Sequence, residues 1–397
     1  MGRYDFDVIH DRRNTDCIKW DFGMEQKGRD DLLPLWVADM DFRLPEEVLA
    51  EVTERVRHGI FGYTNIGEDY RNIVRDWFRR RHGFTMEGTD IVVTPGVVYA
   101  IGVAIRAFTE PGDAVLVQQP VYYPFMQMIK KNGRKVVNNQ LLYRDGRFEI
   151  DFADFEKKII ENNVKLFLLC SPHNPVGRVW AREELMRLAE ICQRHDVYVF
   201  SDEIHADFVY PGYRHTSFFT LGETYRKKLI LGTSPSKTFN MAGLQLSNII
   251  IPDPDTRLAF RKENSVTGYS LPNVIGMTAA MAAYRNGEPW LEELLEYLQG
   301  NLSYLRDFLR DNLPQIKLIE PEGTYLVWLD FSKVADNHKE LETLLMDRAK
   351  LWLDPGIIFG RETNLFERIN IACPRSILEE AMRRLYEAID DITIALS

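Results

Sequence analysis

Lys237 stands in "TSPSKTFNMAG" (233–243), directly after the apolar run "KKLILG". A charged amine at the end of a buried strand needs something that consumes its charge. Two further apolar runs end in polar residues. "KLFLLC" runs into "SPHNPVG", which carries Asn174, and "VYVF" runs into "SDEIH", which carries Asp202 and His205. Each has an ordinary reading by itself: Asn-Pro forms turns, an aspartate caps a helix, a histidine packs in a core, a lysine is solvated. Their occurrence in order at successive strand ends points to chemistry instead. A desolvated lysine loses its charge readily and forms a Schiff base with an aldehyde. A buried aspartate keeps a pyridine nitrogen protonated, so that the ring accepts electrons, and an amide hydrogen-bonds a ring hydroxyl. The constellation suits pyridoxal 5'-phosphate.

That cofactor also needs a phosphate site. "TPGVVYA" (94–100) offers the amides of Gly96, Val97 and Val98 at the start of a predicted helix, whose dipole favours an anion. Ser234 and Ser236 add hydroxyl donors, and Tyr122, in "QQPVYYPF", offers an aromatic face to the ring. Arg375, in "NIACPRS", begins the last predicted helix and is the candidate for a substrate carboxylate, because a guanidinium grips two oxygens at once. Asp202, Glu203, His205 and Asp207 are close in sequence, but with no H-E-x-x-H and no cysteine pair no metal is expected. "SPSK" (234–237) also reads as the S-x-x-K of penicillin-binding hydrolases with Ser234 as nucleophile, yet K-T-G occurs nowhere.

The elements that must hold these residues alternate. "DIVVTP", "AVLVQQ", "KVVNNQLL", "KLFLLC", "VYVFSD", "KLILGTS" and "SNIIIP" read as strands, most of them separated by helical patterns such as "GVVYAIGVAIRAF" and "AREELMRLAEICQRHD". Asp151 is the expected N-cap of "FADFEKKIIENN". Continuous apolar strands alternating with helices predict an α/β fold, a mostly parallel sheet covered on both faces. Ligands bind such sheets beyond the carboxyl ends of the strands. From about residue 286 a long helix, with Gly300 as a possible weak point, precedes shorter strands, "TYLVWLD", "LWLDPG" and "RINIAC", and a last helix. We expect residues 46–285 to form a large cofactor-binding domain, and 1–45 with 286–397 a smaller α/β domain.

The chain of 397 residues is 45% hydrophobic and carries a net charge of −10, ample for a large core and unfavourable for nucleic acid. Its four cysteines are scattered and read as reduced thiols. No run approaches a membrane span and the first residues hold no apolar signal segment, so the expectation is a cytoplasmic protein without a membrane role.

The order of "PGVV", "PVYYPF", "SPHNPVGR", "SDEIH", "SPSK" and "NIACPR" resembles fold-type I pyridoxal phosphate enzymes, the aspartate aminotransferase superfamily, over nearly the whole chain. "LPLWVADMDF" (33–42), "HGIFGYT" (58–64), "AFTEPGD" (107–113) and "PSKTFNMAGLQ" (235–245) are similar to one branch, the PatB/MalY-like cystathionine β-lyases or C–S lyases. The resemblance implies that Lys237 forms the Schiff base, Asp202 partners the pyridinium, Asn174 contacts the ring hydroxyl and Tyr122 stacks on the ring. It implies that Arg375 binds substrate carboxylate and that Tyr63 reaches the phosphate of a neighbouring subunit in a homodimer. Trp36, Tyr63 and Tyr325 would shape the side-chain pocket, with Asn174 also facing substrate. His205 and Gln245 stand where many aminotransferases have Tyr and Arg, and the lyase branch looks like this chain at both. The implied reaction is α,β-elimination of L-cystathionine or another S-substituted cysteine to a thiol, pyruvate and ammonia. The rivals are an aminotransferase and a protein-binding regulator with vestigial activity.

Overall fold

In the computed structural model, which describes residues 2–396, the expected strands pair into one seven-stranded sheet. In chain order they are β1 (Ile91–Thr94), β2 (Ala114–Val117), β3 (Lys135–Asn138), β4 (Leu166–Cys170), β5 (Tyr198–Asp202), β6 (Leu229–Thr233) and β7 (Ser247–Ile250). Their order across the sheet is β1-β7-β6-β5-β4-β2-β3, and only β7 runs against its neighbours.

Side chains alternate between two cores, as the two-residue period of a strand requires. Leu166, Leu168 and Cys170 of β4 face one core with Val97, Ile101 and Ile105 of the helix Val97–Phe108. Phe167 and Leu169 face the other, with Leu185 and Leu188 of the helix Arg182–Arg194. Burial on both faces explains why these strands are continuous apolar runs. The edge strand β3 begins with an exposed lysine, which protects an open edge from further pairing. Asp151 caps the helix Phe152–Asn162, accepting from the amide of Asp154.

Register places the chemistry. Cys170 pairs with Asp202, and Asp202 with Gly232, so β4, β5 and β6 end almost level. The loops carrying Asn174, Asp202 and Lys237 therefore leave the sheet side by side.

A four-stranded antiparallel sheet follows: β8 (Lys317–Ile319), β9 (Leu326–Asp330), β10 (Asp354–Pro355) and β11 (Phe366–Asn370), in the order β8-β9-β11-β10. The long helix Glu288–Asn312 and the last helix Arg375–Leu396 pack together. The long helix runs unbroken through Gly300. A Cβ there would sit 3.2 Å from Nη2 of Arg375, so the glycine makes room for that guanidinium rather than a break. "LWLDPG" forms two short strands instead of one. Leu351–Trp352 pairs with Leu33–Pro34, which ties the N-terminal segment to this unit, and Asp354–Pro355 joins β11. Among the described residues no helix is long and apolar enough to cross a membrane, and all four cysteines are free.

Candidate active site

A pocket of about 180 Å³ opens beyond the ends of β4, β5 and β6. It brings together Gly96, Val97, Val98, Tyr122, Asn174, Asp202, His205, Ser236 and Lys237, nine of the residues singled out from the sequence.

Lys237 lies on a one-turn helix, Pro235–Thr238, that begins where β6 stops. Ser234 caps the turn. Its hydroxyl accepts from the amide of Ser236 and donates to the carbonyl of Leu246 at 2.7 Å. Both functions of that hydroxyl are thus used in shaping the turn, and Ser234, unlike Ser236, does not line the pocket. Thr238 donates to Asp207 at 2.7 Å, and His82 faces the other oxygen of Asp207 at 3.1 Å, so the acid fastens the turn from beneath. Glu203 is likewise consumed in packing, accepting from Ser201 and the amide of Phe218 and facing His215.

The amine of Lys237 turns inward and donates to the carbonyl of Ala38 at 2.6 Å, which also accepts the Tyr325 hydroxyl at 3.1 Å. Ala38 belongs to an irregular strap that lines the pocket. Asn370 donates to the carbonyls of Val37 and Asp39, and Asn240 to those of Met40 and Phe42. Burial lowers the Lys237 pKa to about 8, helped by the positive charge of Arg368 and opposed by Asp39 and Asp202. Burial raises Asp202 to about 7, against the amide of Ile204, which donates to its Oδ1, and the charge of Lys237. His205 is held well below its ordinary value by burial and by the charges of Lys237 and Arg368.

The Asp202 shift sets a pH dependence. A carboxyl whose folded pKa is raised contributes stability that is complete below its unfolded value and disappears as the pH climbs through the folded one. The ligand-free protein is therefore expected to lose stability between pH 4 and pH 7 relative to Asp202→Asn, which has no such proton. Thermal melts across that range measure the difference; parallel curves would refute a desolvated carboxyl.

Arg375 is not in the pocket. Its Nε donates to Asn301 at 2.8 Å and its guanidinium lies over Tyr304, both on the long helix. The arginine at the pocket is Arg368 on β11, 2% exposed. Its Nη1 donates to Oδ1 of Asn174 at 3.0 Å, and its Nη2 donates to the carbonyl of Trp36 and pairs with Asp354. The signal for it was present in "FERIN": a charge inside a buried strand raises the same question as Lys237. Trp36 contributes its carbonyl here, while its ring stacks on Trp352 outside the pocket. Tyr325 stands behind the strap, edge-on to His205 at 5.6 Å. Tyr63 is fully exposed, beside the exposed Ile60 and Phe61.

The pocket fits pyridoxal phosphate. A Cβ on Gly96 would meet no protein atom within 4 Å, so open space lies against the helix start where an anion binds. The amide group of Asn174 presents its Nδ2 donor while Oδ1 is held by Arg368. Asp202 is 4% exposed and, at the pocket wall, has only one backbone donor, leaving capacity for a ring nitrogen. Gln245, where an arginine would add charge, is exposed and outside the pocket.

Comparison with known proteins follows the same lines. Residues 30–385 match the family model for aminotransferase class I and II. The chain is 44% identical to cystathionine beta-lyase PatB of Bacillus subtilis (strain 168), over 97% of this chain and 99% of the relative. It is 34% identical to protein MalY of Escherichia coli (strain K12), over 97% and 99%. The crystal structure of cystalysin from Treponema denticola, which contains a pyridoxal 5'-phosphate cofactor, superposes with a TM-score of 0.95 at 40% identity, covering 98% of this chain and 99% of that one.

Proposed function

The chain belongs to the aminotransferase class I and II family, in its PatB- and MalY-like branch and with the fold-type I architecture, and from that premise we propose that it is a pyridoxal phosphate-dependent carbon–sulfur lyase. It eliminates the β-sulfur from L-cystathionine or a related S-substituted cysteine. One observation carries the reading: a lysine amine whose pKa is lowered to about 8 shares a pocket with a buried carboxyl and an amide that fit the cofactor's ring.

When bound, pyridoxal phosphate supplies an aldehyde that condenses with amines and a ring that accepts the electrons of a broken C–H bond. Lys237 would serve twice: its neutral amine would hold the cofactor by its aldehyde, and, when free, would take the proton from the substrate Cα. The Ala38 carbonyl and Asp202 keep this amine aimed into the pocket. Asp202 holds the ring nitrogen's proton; a cation beside it restores the carboxylate that burial alone disfavours. Asn174 donates to the ring hydroxyl, Tyr122 covers the ring face, and the amides at Gly96, Val97 and Val98 with Ser236 take the phosphate. Arg368 takes the substrate carboxylate. The C–S bond breaks after the Cα proton leaves, and the protonated Lys237 amine gives that proton to the departing thiolate, forming a thiol. The released aminoacrylate reacts with water to give pyruvate and ammonia, so R–S–cysteine and one water become thiol, pyruvate and ammonia.

Tyr63 belongs to an exposed apolar arm, which we read as reaching a second copy in a dimer with shared sites; a monomeric mass at assay concentration would refute this. The cytoplasm is the compartment consistent with free thiols and a soluble substrate.

Incubating the holoenzyme with L-cystathionine and no keto acid tests the function. We expect homocysteine and pyruvate in equal amounts, at a rate unchanged by added keto acid. Product that forms only with a keto acid would make the protein an aminotransferase.

A further inference from the structure

A second groove, of about 490 Å³, has in its wall Asp354, which pairs with the same Arg368 that bonds the pocket wall. Nη1 of Arg368 bonds Asn174 in the pocket wall, and its Nη2 pairs with Asp354 in the groove wall. Tyr122 lines the pocket and Tyr123 the groove, with ring centroids 5.6 Å apart. Trp36 and Trp352 also line the groove, stacked at 4.6 Å and 11°. The indole nitrogen of Trp36 is buried without an acceptor, an uncommon state for a donor.

Three cations, Lys27, Lys130 and Arg361, line the groove, and among the described residues none has a carboxylate within ion-pair distance. Lys27 leans over the Trp352 ring instead. The one acid in the wall, Asp354, is committed to Arg368. On a chain of net charge −10 this is a local field of the opposite sign, which concentrates anions.

We propose that the groove is a subsite for the distal end of the substrate, and that this end carries a carboxylate. The proposal rests on the lyase reading and narrows its substrate class to S-substituted cysteines whose substituent bears a carboxylate. The apolar wall of the groove takes the methylene chain beyond sulfur, and the cations take the carboxylate.

The test compares S-(2-carboxyethyl)-L-cysteine with S-(2-carbamoylethyl)-L-cysteine, equal in shape and different in charge, on the holoenzyme. The carboxylate is expected to be preferred in kcat/KM by about tenfold through a lower KM, with a preference that shrinks as salt is added. In the double variant Lys130→Gln/Arg361→Gln, whose sites are exposed, the two substrates should converge to within about twofold. Equal kcat/KM in the wild type, or a preference that survives the double variant, would overturn the subsite. If neither conjugate releases thiol, the lyase reading fails instead, and calorimetric binding of the same two conjugates then decides the subsite by the same criterion.

Discussion

Lys237→Ala is expected to release no measurable thiol from cystathionine, a loss in kcat of at least ~10⁴-fold. The same protein, incubated with pyridoxal phosphate and reduced with borohydride, should carry no cofactor on the peptide spanning residues 233–243. The wild type should carry it on Lys237. The size of the effect follows from the position of the amine. It leaves β6 on a one-turn helix and points at the Ala38 carbonyl beside Asp202, so no second amine among the pocket-lining residues can replace it. Lys237→Arg separates charge from chemistry. A guanidinium keeps the positive charge that Asp202 faces but stays protonated, so it can neither attack an aldehyde nor accept a proton. If Lys237→Arg keeps more than a few per cent of wild-type turnover, the lysine is a counter-charge and the proposed role fails. Unchanged melting behaviour of the variants would show that the loss is chemical.

Why does sequence order alone place Lys237, Asp202 and Asn174 together? Each is a polar residue placed immediately after a run that a two-sided sheet must bury, and level strand ends make sequence order into spatial adjacency. The same argument finds the helix start at Gly96, since a glycine between a strand and an apolar helix marks a turn. Other features leave no such trace. The acceptor for Lys237 is a backbone carbonyl, and any residue at position 38 supplies one. The helix Val274–Asn286, "VIGMTAAMAAYRN", is small and apolar on several sides, so it lacks a clear amphipathic period. Ser234 looked like a donor to an anion because hydroxyl chemistry is legible, whereas its use as a cap depends on the backbone geometry of the turn. Tyr63 is a different case. It faces solvent in the single chain, so its proposed contact with a second copy leaves no trace there.

Arg368 and Arg375 are seven residues apart, and choosing between them yields the second large effect. The start of a last helix is an open position, which makes Arg375 the natural candidate from the sequence. The contacts reverse this. Arg375 spends its guanidinium on Asn301 and Tyr304 in the cleft above Gly300. Arg368 is buried and reaches Asn174, the Trp36 carbonyl and Asp354 at once. Three directions from one planar fork cannot be matched by an ammonium. Arg368→Lys should therefore lower kcat/KM by about 10²-fold, since two lost bonds to an ionised carboxylate at ~1.5 kcal/mol each amount to that factor. The loss should fall mostly on KM for the amino acid, while the borohydride adduct at Lys237 still forms. Lysine is the informative replacement because it leaves Asp354 a positive neighbour. Arg368→Ala would leave that acid buried and unpaired, a change that costs about 3–5 kcal/mol in comparable sites and confounds kinetics with folding. Arg375→Gln should stay within about twofold of the wild type in kcat/KM. If Arg375→Gln instead raises KM strongly and Arg368→Lys does not, the substrate carboxylate binds at the helix start and the strand arginine is merely structural.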